Sequence, residues 1–166
     1  MEDTLNIVGY FPGVIGQITT LHAVYYKEYW GLDHSFEAQE GRELSEFILH
    51  FNERKDGLWN AVSQGRFIGC IAIHGDREHP DRARLRWYIV DPRYQGFGVG
   101  RELILKAIEF CRVAGYKRIY LWTFEGLERA QSIYERNGFR LAEIREVAQW
   151  GGVIKEQMFE LIVNSN

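Results

Sequence analysis

Ingredients that mark several common protein classes are scarce in this chain of 166 residues. Cysteine occurs only as Cys70 and Cys111, each inside an apolar periodic segment and neither in a Cys-x-x-Cys pair. Reduced core thiols and a cytoplasmic setting are therefore expected, rather than a disulfide framework. The five histidines lack metal-ligand spacing, so no metal is expected. No apolar run approaches the roughly 18 residues of a membrane span, and the acidic start Met1-Glu2-Asp3-Thr4 is unlike a signal peptide. No membrane partner is expected. Proline is limited to three residues, with no repeat or low-complexity linker. A net charge of −3 gives no reason to expect nucleic acid as a partner.

What remains suffices for one core. Hydrophobic residues make up 46% of the chain, and the length favours a single domain over residues 1–166. Residues 1–60 carry 10 acidic and 4 basic side chains, whereas residues 61–166 carry 13 acidic and 16 basic. A basic half would attract a polyanionic cofactor and an acidic half a cationic acceptor; chance scatter over solvated faces gives the same counts.

Periodicity predicts a strand over residues 6–10, then an amphipathic helix marked by Ile15, Ile18, Leu21, Val24 and Tyr25 that ends near Trp30-Gly31. A second helix starts with Ser35 as its N-cap and buries Phe36, Leu44, Phe47, Ile48 and Phe51. Strands over residues 58–63 and 67–74 flank the hairpin signal Gln64-Gly65-Arg66. In the next strand, residues 84–90, Leu85, Trp87 and Ile89 alternate with Arg86, Tyr88 and Val90. A helix from Gly98 closes at Gly115. A strand (118–123), a helix (127–136) and a closing antiparallel pair (139–147, 153–162) complete a mixed sheet covered by helices.

Between the 84–90 strand and the following helix runs Asp91-Pro-Arg-Tyr-Gln-Gly-Phe-Gly-Val-Gly-Arg101. Asp91-Pro92 stops the strand, since proline lacks a backbone donor. The alternate glycines permit positive φ and close approach of a ligand to the main chain, while the first helix amides point outward unpaired. An anion is the expected guest. The dinucleotide fingerprint fails, because the sixth position counted from Gly96 is Arg101 and from Gly98 is Leu103; no Gly-Lys-Ser/Thr run supports a P-loop.

Gln95-x-x-Gly98-x-Gly100 after a strand, with Ala130-x-x-x-Tyr134-x-x-x-Gly138-Phe139 one helix later, resembles the acetyl-CoA signature of the GNAT superfamily of N-acetyltransferases. The order of elements is similar to that fold over essentially the whole chain. More narrowly, residues 83–92, 120–124 and Tyr25-Tyr26-x-x-x-Trp30-Gly31 resemble a bacterial subgroup often fused to a MarR-type regulator; no such extension is expected here. The resemblance implies an α/β (α+β mixed) fold: a mostly antiparallel sheet of about seven strands, flanked by four helices and splayed at the cofactor slot.

It also implies roles for residues. The amides of Gly96, Phe97, Gly98, Val99, Gly100 and Arg101 would hold the CoA pyrophosphate, Gln95 would shape the loop, and main-chain groups of Ile89 and Val90 would pair with the pantetheine arm. Tyr134 stands where a hydroxyl commonly protonates the departing thiolate. The strand before the loop carries Arg84 and Arg86 where many relatives have a glutamate, so Asp33 and Glu37 are the candidates to hold or deprotonate the amine. Leu127 replaces an asparagine common in relatives. Tyr25, Tyr26, Trp30, Trp122 and Trp150 would line an apolar acceptor pocket or grip a cation. The expected function is acetyl-CoA-dependent acetylation of a primary amine, on a small molecule or a protein, by a monomer or homodimer. The alternative is a catalytically weak CoA-binding sensor or interaction module.

Overall fold

The computed structural model describes residues 4–163, so Glu2 and Asp3 lie outside the described residues. The elements run β1 (Leu5–Val8), α1 (Val14–Trp30), α2 (His34–Leu49), β2 (Gly57–Ser63), β3 (Arg66–Gly75), β4 (Arg82–Val90), a 3-10 turn (Pro92–Tyr94), α3 (Val99–Ala114), β5 (Arg118–Phe124), α4 (Glu128–Arg136), β6 (Arg140–Gln149) and β7 (Gly152–Ile162). The sheet has seven strands in the order β1-β2-β3-β4-β5-β7-β6. Every pair is antiparallel except β4 beside β5.

Both tight hairpins have their turn chemistry in the sequence. Gln64-Gly65 and Trp150-Gly151 take positive φ at both positions (49° and 73°; 57° and 89°), the type I′ pattern that matches strand twist. The start of α2 departs from expectation by two residues. Its N-cap is Asp33 rather than Ser35: the Asp33 carboxylate accepts from the Ser35 amide at 2.9 Å and from the Ser35 hydroxyl. These bonds hold the Asp33 carboxyl below its usual pKa. Asp33→Ala should therefore lower the thermal midpoint by a few degrees, read by circular dichroism, with no effect on acetyl-CoA affinity. Phe51 lies past the end of α2 and is 39% exposed, not buried as its spacing suggested.

Two cores sandwich the sheet. α3 and α4 cover one face, with Leu103, Ile104, Ala107 and Cys111 packed on Ile71, Ile73, Ile119 and Phe159. α1 and α2 cover the other through Val14, Ile18, Leu44 and Phe47. Both cysteines are buried and free; burial pushes the Cys111 thiol up to about 12 and the Cys70 thiol well above its usual value.

The feature that makes a site lies in β4. Cys70 opposes Ile89 while Ala72 opposes Arg86, so β4 holds one extra residue there, and Trp87 takes φ 47°. This is a β-bulge, which bends a strand and re-aims its side chains. Leu85 accordingly faces the α3 core, whereas Trp87 and Ile89 face the α1–α2 core. The single apolar face expected from Leu85, Trp87 and Ile89 is thus split between the two sides of the sheet. The Trp87 carbonyl turned out by the bulge accepts the Cys70 thiol at 3.0 Å. β4 pairs with β5 only from Arg82 to Arg84, opposite Arg118 to Tyr120. Beyond that point the strands part, while β5 stays paired with β7 as far as Phe124.

Candidate active site

The glycine loop sits at the mouth of this opening. Asp91 accepts from the Arg93 amide at 2.9 Å and fixes the 3-10 turn after β4. Gly96 and Gly98 then take φ 86° and 85°, and a Cβ at either would meet nothing within 4 Å, so their side facing outward is open. Gly98 is the N-cap of α3 and supplies no side chain to its first turn. Among the described residues, the amides from Gly96 to Arg101 find no acceptor in the chain; the Glu102 amide is the first to bond, to the Gly98 carbonyl at 3.1 Å. Such a row of free donors on a helix dipole fits a pyrophosphate. Gly100 has another purpose. The Tyr88 hydroxyl donates to its carbonyl at 2.6 Å, and a Cβ there would lie 2.9 Å from that hydroxyl. Gln95 ties the loop down, donating to the Val90 carbonyl at 3.1 Å and accepting from Arg129 at 3.3 Å. Arg101, Arg129 and Arg136 are exposed around the same mouth and add positive charge.

Ile89 and Val90 are not equivalent. The Asp91 amide donates to the Ile68 carbonyl on β3 at 2.8 Å. With a period of two, Ile89 also turns its main-chain groups toward β3, and Val90 turns its own toward the slot. On the slot side the Val90 carbonyl is already engaged by Gln95, and Ile89 contributes side-chain wall.

The glycine loop and the slot are continuous with a single cavity of about 880 Å³ in all, whose walls also include α1, α2, β4, β5, α4 and the β6–β7 tip. All five expected aromatics, Tyr25, Tyr26, Trp30, Trp122 and Trp150, line it. One face of Trp122 is covered, since the Arg145 guanidinium lies 3.8 Å from its ring centroid and donates to Glu156 at 2.8 Å. Trp150 donates to Gln39 at 2.9 Å and its carbonyl accepts the Asp33 amide at 3.0 Å. These bonds fasten the hairpin tip over the acceptor end.

Tyr134 projects from α4 between the slot and the cavity and is 4% exposed. Tyr88, Phe139 and Phe159 pack on its ring at centroid distances of 6.0, 5.8 and 5.7 Å. Burial pushes its pKa well above 10, so the phenol keeps its proton near neutrality.

The two acidic candidates lie away from the cavity wall. Asp33 is spent on capping α2, and Glu37 points to solvent; neither lines the cavity. Glu40 does line it, three residues past Glu37 and on the buried stripe. The signal was in the sequence: positions 36, 40 and 44 share one helix face, and a carboxylate stands between buried Phe36 and Leu44. His22 also lines the cavity, lying on the stripe of Ile18 and Tyr26. His22 Nδ1 donates to the Ile18 carbonyl at 2.8 Å, which leaves Nε2 as the acceptor.

Burial lowers the His22 pKa from 6.5, against the raising influence of Glu40 and the Ile18 carbonyl. The His74 pKa is lowered from 6.5 as well, first by burial. Between 6.5 and the lowered folded values, the unfolded chain binds protons that the native chain does not. Stability should therefore fall as pH drops below 6.5 and level off above it. The denaturant midpoint measured across that range checks this, and His22→Gln should flatten the slope.

A split pair of parallel strands with an anion cradle at one end and a polar-aromatic cavity at the other defines an acetyltransferase architecture. The chain belongs to the acetyltransferase (GNAT) family, whose profile matches residues 17–139. An uncharacterized N-acetyltransferase of Methanocaldococcus jannaschii is 27% identical over 136 residues, covering 80% of this chain and 59% of that protein. The chain thus spans less than two thirds of that relative's length. A GNAT-family acetyltransferase from Staphylococcus aureus Mu50 superposes with TM-score 0.77 at 19% identity, covering 97% of this chain and all of that one. The structure of yncA from Salmonella typhimurium with its cofactor acetyl-CoA superposes with TM-score 0.76 at 13% identity, covering 98% and 96% of the two chains.

Proposed function

We propose that the protein transfers an acetyl group from acetyl-CoA to a primary amine held in the cavity. The observation that carries this is the parting of β4 from β5, which joins the free amides of the glycine loop to Tyr134 and to the charged cavity through one continuous slot. When bound, acetyl-CoA supplies an activated acyl group: the amine nitrogen bonds to the thioester carbonyl carbon, the C–S bond breaks, nitrogen loses a proton and sulfur gains one.

The chain's own groups divide this work. Amides of residues 96–101 hold the pyrophosphate, and the Val90 main chain orients the arm. An amine of pKa about 10.4 must shed a proton before attack, a cost of roughly 4 to 5 kcal/mol at pH 7. Glu40 attracts the ammonium, and the lone pair on His22 Nε2 receives the proton. Tyr134, neutral and desolvated, donates its hydroxyl hydrogen bond to the sulfur that becomes anionic. The aromatic wall and the hairpin tip exclude water from the reacting centre.

Arg84 and Arg86 on β4, in place of a carboxylate, favour a second reading as a CoA sensor without turnover. Titration calorimetry with acetyl-CoA tests both readings, since absence of binding rejects them together. Release of free thiol across an amine panel then separates enzyme from sensor.

A further inference from the structure

Arg84 is a largely desolvated cation that, among the described residues, no carboxylate reaches within salt-bridge distance, although the charges of Glu43 and Glu40 act on it from farther away. It stands at the last position where β4 pairs with β5, opposite Tyr120, where the slot begins, and it lines the cavity. Its Nε is buried and unpartnered, and among the described residues no hydrogen bond or ion pair reaches its guanidinium. Its neighbours are matched: Arg86 is paired with Glu43 at 2.5 Å and Arg145 with Glu156 at 2.8 Å. Arg101, Arg129 and Arg136 are exposed and solvated, as Arg84 is not. A guanidinium does not shed its charge under ordinary conditions, so the demand for an anion persists. Glu40 faces the same cavity, and its charge acts on both Arg84 and His22. The acceptor end therefore offers a planar fork of donors and, close by, a carboxylate next to a neutral imidazole.

Resting on the transferase reading above, we propose that the acceptor is an amine that also carries a carboxylate, a free amino acid by chemical class, with its carboxylate on Arg84 and its amino group on the Glu40–His22 side. Two charges of opposite sign on one small molecule meet two of complementary sign in the wall, and the fork geometry favours a bidentate contact. Polyamines and protein lysine side chains present no carboxylate at that position and leave Arg84 unmatched.

The experiment measures thiol release from acetyl-CoA by the full chain, with L-amino acids compared against their own α-carboxamides and their decarboxylated amines. The amino acids are expected to exceed both neutralised series by about 10- to 100-fold in kcat/KM, the range of a charge-assisted hydrogen bond lost. Arg84→Met should collapse the acid-to-amide ratio toward one, and Arg84→Lys should restore part of it. Acetyl-CoA affinity by calorimetry reports whether each variant is folded; if Arg84→Met fails there, the Lys variant and the wild-type ratio decide. Equal use of acids and amides, or an Arg84→Met loss shared equally by both series, overturns the proposal. Turnover of decarboxylated amines alone overturns it and leaves the transferase reading standing. No thiol release with any amine, despite acetyl-CoA binding, overturns both.

Discussion

Gly98→Val is expected to weaken acetyl-CoA binding by at least about 100-fold, the combined effect of a strained backbone and displaced donors. Gly98 holds φ 85° as the N-cap of α3, a region that β-branched residues avoid. Holding valine there costs about 1 to 3 kcal/mol, and relaxing it swings the amides of residues 98–101 away from their common focus. Calorimetry reads the affinity directly. Gly115→Val supplies the control, because Gly115 has the same φ of 85° and equally open surroundings at the far end of α3. It should lower the melting temperature by a similar amount while acetyl-CoA still binds. Equal loss of affinity in both variants would show that general destabilisation, not the cradle, is responsible.

Tyr134→Phe is the second large effect, an expected fall in kcat of about 10²- to 10⁴-fold, the contribution typical of a positioned proton donor. The ring remains, so the packing of Tyr88, Phe139 and Phe159 around it is retained and acetyl-CoA affinity should stay within about threefold. The pH profile adds a separate reading. With the Tyr134 pKa pushed well above 10 by burial, the wild-type kcat should show no loss from phenol ionisation below that value. An unchanged kcat with a lowered melting temperature would reduce Tyr134 to a packing residue.

Much of this was legible in the sequence, for reasons that differ between elements. Both hairpin turns, the glycine ends of α1 and α3, and the loop of Gly96 and Gly98 depend on local chemistry, which a sequence displays. The bulge at Trp87 does not: nothing in residues 84–90 breaks the period of two, because each face of that strand meets a different core. The extra residue is visible only against β3. Helix phase, rather than region, sets the acidic candidates off the cavity wall. Asp33 and Glu37 lie on the right stretch of chain, but Asp33 has a cap to make, and Glu40 alone of these three falls in phase with Phe36 and Leu44. A polar residue interrupting an apolar stripe marks which side chains reach the cavity, as His22 also shows on α1.

The cavity wall is assembled from two separable portions of the chain. The cradle, the unpaired edge of β4 and Tyr134 all come from residues 82–139, a contiguous stretch. The far wall comes from α1, α2 and the β6–β7 tip, fastened to each other by Trp150, Gln39 and Asp33. The two portions meet where Val14, Ile18, Leu44 and Phe47 pack on Trp87 and Ile89 of β4. The end of the cavity remote from the glycine loop can thus change shape through residues of two helices and a turn, while Arg84 and the loop stay within one contiguous stretch of chain.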